Sequence, residues 1–160
     1  MSGHDKPRSR RFDSLAQEAF LNLWRTYDRL RVHEEELFGR YELTPQQYNA
    51  LRLLRRDHPG NVPTLALASR LVSRAPDITR LLDRLVERGL IARERRADNR
   101  RVVRVGITPA GLELLKTMEA DIKRCHERQL GHLSQEQLQQ LIAMLREARQ
   151  PHEPSDSTWL

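Results

Sequence analysis

Residues 65–115 decide the fold and read LALASRLVSRAPDITRLLDRLVERGLIARERRADNRRVVRVGITPAGLELL. The chain first predicts a short helix over Leu65 to Leu71, with Thr64 as its cap. A longer helix is predicted from Arg74 to Arg88, after a brief turn at Val72-Ser73. Its buried face is marked by apolar residues at helical spacing: Ile78, Leu81, Leu82 and Leu85. Two helices joined this tightly must cross steeply, which is typical of a helix-turn-helix.

A β-hairpin rich in arginine is predicted directly after the longer helix. Gly89 supplies the helix stop. The segments Leu90–Arg96 and Arg101–Ile107 then have the composition and alternation of two strands. The four residues 97–100 are expected to form the turn between them. A small β wing therefore lies beside the predicted helix-turn-helix.

The flanking sequence predicts further helices, three of which begin with recognisable capping residues. A Thr44-to-Gln47 box opens one, a Ser134-to-Gln137 box opens the last, and Thr108-Pro109 opens the helix between the hairpin and the last helix. Apolar periodicity predicts a long first helix from Ser14 to about Phe38. The predicted fold class is therefore mainly α with a small β wing.

Composition indicates a small protein with a lean core. The chain has 160 residues, 38% of them hydrophobic, and a mean hydropathy of -0.71. Such a chain is expected to form long amphipathic helices, to share burial with a second chain, or both, which makes a homodimer plausible. Its one cysteine, Cys125, excludes an intrachain disulfide framework and a multi-cysteine zinc site, and it fits a reducing compartment. We expect a cytoplasmic protein without a membrane span, metal or cofactor.

The positive charge is concentrated in one fifth of the chain. The formal net charge is +6, and residues 74–104 contain ten arginines against five acidic residues, a net of +5. Arginine can bridge phosphate oxygens or a guanine edge with two hydrogen bonds, and a helix fits the major groove of B-DNA. In the hairpin, Arg100 is placed to enter a minor groove, and the other arginines can meet phosphates: Arg95, Arg96, Arg101 and Arg104. The alternative is a solvated ion-pair face, with Arg84 and Arg88 paired to Asp83 or Glu87.

Six short motifs of the sequence belong together: Leu67-Ala68, Ile78-Thr79-Arg80-Leu81, Asp83-Arg84-Leu85, Gly89-Leu90, Asp98-x-Arg100 and Ile107-Thr108-x-x-Gly111. Through these motifs the sequence from about residue 14 to 149 resembles MarR-family transcriptional regulators. It implies a winged helix-turn-helix flanked by N- and C-terminal dimerisation helices. It also implies a dimer that binds a pseudo-palindrome and usually represses nearby genes.

The expected domain organisation follows from this resemblance together with the composition of the two ends. It comprises a disordered N-terminal tail (1–13), an N-terminal dimerisation helix (14–42), a winged helix-turn-helix DNA-binding domain (43–107), C-terminal dimerisation helices (108–149) and a disordered tail (150–160).

The DNA-binding residues are predicted partly by the resemblance and partly by charge. The resemblance implies that seven residues face the major groove or its phosphates: Ser73, Arg74, Ala75, Asp77, Thr79, Arg80 and Arg84. It gives Arg100 the minor groove and Asp98 a bracing role in the wing, while charge adds Arg95, Arg96 and Arg101. Asp77 could accept a hydrogen bond from a cytosine amino group, although stabilisation of the helix N-terminus is slightly favoured.

The sequence also contains candidates for a ligand cavity and for a metal-binding cysteine. Family members often bind small aromatic acids between the dimerisation helices and the DNA-binding domain. Aromatic and histidine side chains that could line such a cavity here are Trp24, Tyr27, His33, Tyr41 and Tyr48. Core packing explains most of them equally well. Cys125 lies on the apolar stripe of its helix, which favours a buried packing thiol over a metal ligand.

The sequence thus predicts a homodimeric, sequence-specific regulator that binds double-stranded DNA, acts as a repressor and has a small aromatic ligand as a candidate partner. It contains no glycine-rich phosphate loop and no nucleophile elbow, so an enzyme is not expected. The alternative function is a winged-helix module that mediates protein or RNA contacts without operator binding. Residues 65–107 contain no Phe, Tyr or Trp for stacking on RNA, so duplex DNA is preferred.

Overall fold

The computed structural model describes residues 11–73, 77–155 and 157–159. Six α-helices and a small antiparallel sheet confirm the mainly α fold with a β wing. In chain order the elements are α1 (Leu15–Arg40), α2 (Pro45–Asp57), β1 (Val62–Pro63), α3 (Thr64–Arg70), α4 (Ile78–Glu87), β2 (Ile91–Arg96), β3 (Asn99–Ile107), α5 (Pro109–Leu130) and α6 (Gln135–Arg149). Among the described residues, no helix is long and apolar enough to cross a membrane.

Most helix starts follow the capping residues in the sequence. Thr44 and Ser134 form full capping boxes at α2 and α6, and the Thr108 side chain accepts from the amide of Gly111 at α5. The predicted cap of α3 is wrong, because Pro63 holds the N-cap position. The Thr64 hydroxyl instead donates to the carbonyl oxygen of Val103 at 3.1 Å, which ties the start of α3 to β3.

The sheet has three strands in the order β1-β3-β2, and β1 was not predicted. This strand has only two residues, one of them proline, so it leaves no alternating pattern in the sequence. The hairpin turn is also shorter than predicted: β3 begins at Asn99, which pairs with Arg96 across a register shift between Arg95 and Arg96. Arg100 therefore lies in β3 rather than in the turn.

The core lies beneath the helix-turn-helix and extends along α5. Its fully buried side chains come from α2, α3, α4, the sheet and α5: Leu51, Leu54, Leu67, Leu82, Leu85, Ile91, Val105, Leu115 and Met118. Cys125 is buried, as its place on the apolar stripe of its helix predicted, and the same face of α5 buries Gly111, Leu115 and Met118. The buried face of α5 therefore belongs to the same core as α3, α4 and the sheet.

The outer helices α1 and α6 bury little within the chain. In α1 only Leu37 and Phe38 are buried, and in α6 no residue is. Large apolar side chains on both helices are exposed, among them Leu15, Phe20, Leu23, Trp24 and Tyr27 on α1 and Leu141, Ile142 and Met144 on α6. The apolar periodicity of these helices therefore marks surfaces that the single chain does not cover.

The first residues after α6 form regular structure, whereas a disordered tail over 150–160 was expected from composition. Gln150–His152 form a 3-10 helix. Arg149 then pairs with Glu153 at 2.7 Å, and its guanidinium lies 6.0 Å from the centre of the Trp159 ring. These contacts offset part of the entropic cost that the composition implied.

Candidate nucleic-acid interface

The recognition helix α4 begins later than the sequence suggested. It starts at Ile78 rather than Arg74, because Asp77 has non-helical backbone angles and its carboxylate accepts from the amide of Arg80 at 2.9 Å. Asp77 therefore serves as the N-cap, the stabilising role that the sequence slightly favoured. The predicted contacts Arg74 and Ala75 lie outside the described residues, and Ser73 is exposed just before them.

The end of α4 is fixed by its own backbone and by an arginine. Gly89 has a φ of 69°, and the amides of Gly89 and Leu90 donate to carbonyl oxygens of the last turn, as in a glycine-terminated helix. Arg88 donates to the carbonyl oxygens of Tyr41 and Glu42 at 3.1 and 2.7 Å. The alternative in which Arg88 pairs with Glu87 or Asp83 is therefore not what the structure shows.

Two arginines lie on the outer face of α4. Arg80 and Arg84 are exposed and four residues apart, so they follow one another along the same side of the helix. The opposite side carries the fully buried Leu82 and Leu85. Neither arginine forms an ion pair with any residue in the described ranges, and Asp83, a proposed partner of Arg84, binds Arg93 instead. Among the described residues, no ion pair compensates the positive charge of this face. The helix that carries it has the width that a major groove admits.

Two arginines of the wing have structural roles. Ile91, Arg93 and Arg95 share the face of β2 that pairs with the buried Val105 and Ile107, and from this face Arg93 reaches α4. On the opposite face, Arg104 is partly buried and donates to the backbone oxygen of Asn61 at 2.7 Å. Arg104 thus holds the loop before β1, and its phosphate contact stays a prediction.

The other wing arginines are exposed. They are Arg95, Arg96, Arg100 and Arg101. Arg95 donates to the carbonyl oxygen of Arg100 at 3.3 Å, and the Asn99 side chain accepts from the amide of Arg101 at the same distance. Asp98 lies in the turn and makes no side-chain hydrogen bond with a described residue, so its bracing role stays a prediction. The wing thus presents four cations beside the α4 face.

The residues predicted to line a ligand cavity do not form one cluster. Trp24 and Tyr27 are 61% and 65% exposed on α1, whereas Tyr48 stacks on Phe38 with ring centres 4.6 Å apart. Tyr41 donates to Asp121 at 2.6 Å, and His33 lines a cavity between α1 and α5. Of the five predicted residues, His33 lines this cavity.

That cavity has a volume of about 220 Å³ and a strongly charged lining. Its polar residues include His33, Arg40, Asp121, Arg124 and Arg128, and the Cys125 thiol adjoins them. The hydrogen bond from Tyr41 lowers the pKa of Asp121, while burial raises the pKa of Cys125. Asp121, Arg124 and Arg128 were not predicted from the sequence, although their mutual spacing of three and four residues places them on one face of α5.

Comparison with known proteins agrees with this geometry. Residues 43–103 match the model of the MarR family. A MarR transcription factor from Planctomyces limnophilus is 57% identical, over 85% of this chain and 98% of that chain, with a TM-score of 0.68.

Two more distant structures share the fold. A MarR family transcriptional regulator from Streptomyces coelicolor, solved in complex with DNA, is 18% identical over 96% of each chain, with a TM-score of 0.80. BpsR from Bordetella bronchiseptica, whose DNA binding is regulated by 6-hydroxynicotinic acid, is 21% identical over 84% of this chain and 95% of that chain, with a TM-score of 0.74. The family match and the 57% identical relative, on a six-helix fold with a three-stranded wing, establish that this chain belongs to the MarR family of transcriptional regulators.

Proposed function

We propose that the protein is a homodimeric repressor that binds a pseudo-palindromic operator in double-stranded DNA. The observation that carries this proposal is the exposed pair Arg80 and Arg84 on α4 beside the cationic wing, since neither arginine has an ion-pair partner among the described residues. In this proposal α4 enters the major groove and Arg100 the adjoining minor groove. Family members are transcription factors and generally non-enzymatic, and we expect this one to act in the cytoplasm on promoter DNA.

The symmetry of the operator follows from the symmetry of the dimer. Two subunits related by a two-fold axis present two copies of α4, which can read inverted half-sites about 34 Å apart, one turn of B-DNA. Selection of bound fragments from random duplex DNA tests this directly. Enrichment of an inverted repeat with that spacing is expected, and enrichment of a single unpaired half-site, or of no sequence, contradicts the proposal.

The role of Arg100 has its own test. Changing Arg100→Ala should weaken binding to the selected duplex and reduce the slope of log affinity against log salt by about one unit, because one fewer counterion is released. A matched control is Lys123→Ala, which removes an exposed cation from α5 and should leave the slope unchanged. Equal slopes for Arg100→Ala and the wild type would remove the minor-groove assignment.

The proposed partner of the exposed α1 and α6 faces is a second copy of this chain. Phe20 and Trp24 on α1 and Met144 on α6 are each more than 60% exposed, and burying a side chain of this kind stabilises by about 1.5–3 kcal/mol. A lone subunit would leave this apolar surface in water. The chain therefore has the surface that a symmetric dimer requires.

Sedimentation tests the dimer. The double variant Phe20→Glu, Trp24→Glu should sediment as a monomer and lose its preference for the inverted repeat, because two charges would be buried on each subunit. Leu65→Glu is the control for oligomeric state, since Leu65 is even more exposed than Phe20 and Trp24 but lies on α3. A dimer in the double variant would show that α1 is not part of the interface.

We further propose that a small aromatic carboxylate occupies the cavity between α1 and α5 and releases the DNA. Three guanidinium groups line this cavity, on Arg40, Arg124 and Arg128, against two carboxylates, which suits an anion. The regulation of BpsR by 6-hydroxynicotinic acid provides a probe of this class. A ligand that prefers one spacing of the two α4 helices would shift DNA affinity by differential binding.

Titration of the protein–DNA complex with 6-hydroxynicotinic acid and with benzoic acid tests this site. Release of DNA that is weakened at least tenfold by Arg124→Ala supports the cavity. The control is Arg55→Ala, an exposed arginine on α2 outside the cavity. The same release in both variants would place the ligand elsewhere, and no release by either acid would contradict an aromatic carboxylate.

A further inference from the structure

One ion pair joins the recognition helix to the wing. The guanidinium Nη1 of Arg93 on β2 lies 2.6 Å from Oδ1 of Asp83 on α4, and Nη2 donates to the backbone oxygen of Thr79 at 3.4 Å. Both side chains are partly shielded, with 32% and 45% of their surface exposed. Among the described residues, no other side-chain hydrogen bond or ion pair connects α4 with β2 or β3. Within the described ranges, Arg93 therefore makes all the side-chain polar links between α4 and the wing strands, and its ion pair with Asp83 is the shorter of the two.

The pair also has a cost for a protein that binds a polyanion. Asp83 places a negative charge on the helix that faces the DNA, and it neutralises an arginine that phosphates would otherwise attract. Removing that acid should strengthen DNA binding if only charge mattered, because the local net charge would rise. An acid at this position therefore needs a role that offsets this electrostatic cost.

We propose that Asp83 is a positioning residue: through Arg93 it fixes the wing relative to α4, so that Arg100 and the α4 arginines contact one DNA half-site together. This inference rests on the proposed DNA-binding function and adds a residue that does not itself contact DNA. The register supports it, because Arg93 lies on the inner face of β2 and pairs with the fully buried Val105. Arg100 lies farther along the same hairpin, so a change in hairpin angle would displace it.

The decisive variant is Asp83→Asn, because charge and positioning predict effects of opposite sign. Positioning predicts binding to the selected duplex that is about three- to tenfold weaker, with thermal unfolding of the free protein little changed. The matched control is Glu87→Gln, which removes an exposed acid one turn later on α4 that has no ion pair with a described residue. This control should bind equally well or more tightly.

A double-mutant cycle separates positioning from general destabilisation. In the wild-type background Arg100→Ala removes a contact, whereas in the Asp83→Asn background that contact should already be impaired, so the cost of Arg100→Ala should shrink. The reversed pair, Asp83→Arg with Arg93→Asp, should recover part of the affinity that Asp83→Asn loses. A general loss of folding would leave the cost of Arg100→Ala unreduced, and the reversed pair would then restore no affinity.

Amide hydrogen exchange of β2 and β3 without DNA provides a measurement independent of the proposed function. Faster exchange at the far end of the hairpin in Asp83→Asn, and not in Glu87→Gln, is expected. Tighter or unchanged DNA binding by Asp83→Asn, or an unchanged cost of Arg100→Ala, would overturn the positioning role. If the wild type binds no duplex, the proposed function fails. Unchanged amide exchange in Asp83→Asn would then also overturn the proposal that the Asp83–Arg93 pair fixes the wing.

Discussion

The joint between the wing and α5 allows a quantitative test at Gly111. A Cβ atom placed on Gly111 would lie 2.3 Å from the backbone oxygen of Leu90 and 2.6 Å from Cγ1 of Ile107, whereas ordinary contacts begin at 3.4 Å. The nearer of these atoms belongs to the backbone and cannot rotate away. Gly111→Ala must therefore push α5 away from the start of β2 by about an ångström.

The expected cost of this displacement is that of an overpacked core. Such changes typically destabilise by about 1–3 kcal/mol, and a protein of this size loses about 2–4 °C in Tm for each kcal/mol. A fall of roughly 2–12 °C is therefore expected for Gly111→Ala. It should be measured by circular dichroism at one fixed protein concentration, because the Tm of a dimer depends on concentration.

Gly39→Ala is the matched control, because the same methyl group on α1 would meet nothing within 4 Å. Alanine has the higher helix propensity, so this variant should keep its Tm or gain slightly, by up to about 1 kcal/mol of stability. If Gly111→Ala melts at or above the temperature of Gly39→Ala, the close packing of α5 on Leu90 is not present in solution.

Three further predictions concern the core, the cavity and the cysteine. Leu82→Ala, at a fully buried position of α4, should lower the free energy of unfolding by about 2–5 kcal/mol in urea titrations, and a loss below 1 kcal/mol would contradict its burial. Tyr41 keeps the pKa of Asp121 below its ordinary value of 3.8, so this carboxylate contributes stability above pH 3.8 that is lost as the pH falls through its lowered value. The stability difference between the wild type and Tyr41→Phe should shrink between pH 7 and pH 3, and a constant difference would exclude this linkage. Burial raises the pKa of Cys125, so a thiol reagent at pH 7 should react slowly with the native protein and rapidly once urea unfolds it; equal rates would show an accessible thiolate.

Elements defined by local chemistry could be predicted from the sequence. The capping boxes at Thr44 and Ser134, the cap at Thr108 and the stop at Gly89 depend on residues within one helical turn, so spacing alone indicates them. The two-residue strand β1 could not be predicted in this way, because Val62 pairs with Val105 far along the chain. Thr64 was misassigned for the same reason, since its hydrogen-bond partner is in β3.

The positive charge of the candidate interface could be predicted from the sequence, but the role of each arginine could not. Sequence alone located the excess of arginine but could not tell a contact residue from a brace, because that distinction depends on tertiary partners. Arg104 is held by Asn61 and Arg93 by Asp83, and nothing in the local pattern separates them from Arg100. The aromatic residues of α1 and α2 also divided into exposed, stacked and hydrogen-bonded cases only once the helices had packed.

A single residue, Thr108, joins β3 to α5 and couples the end of α4 to the base of α5. Thr108 donates its hydroxyl to the Gly89 carbonyl oxygen at 2.6 Å and its amide to that of Leu90 at 3.1 Å, so the end of α4, the wing and the base of α5 turn as one piece. The 22 residues of α5 form a rod about 33 Å long. A displacement of a few ångströms at the far tip of that rod would therefore rotate its base, and α4 with it, by several degrees.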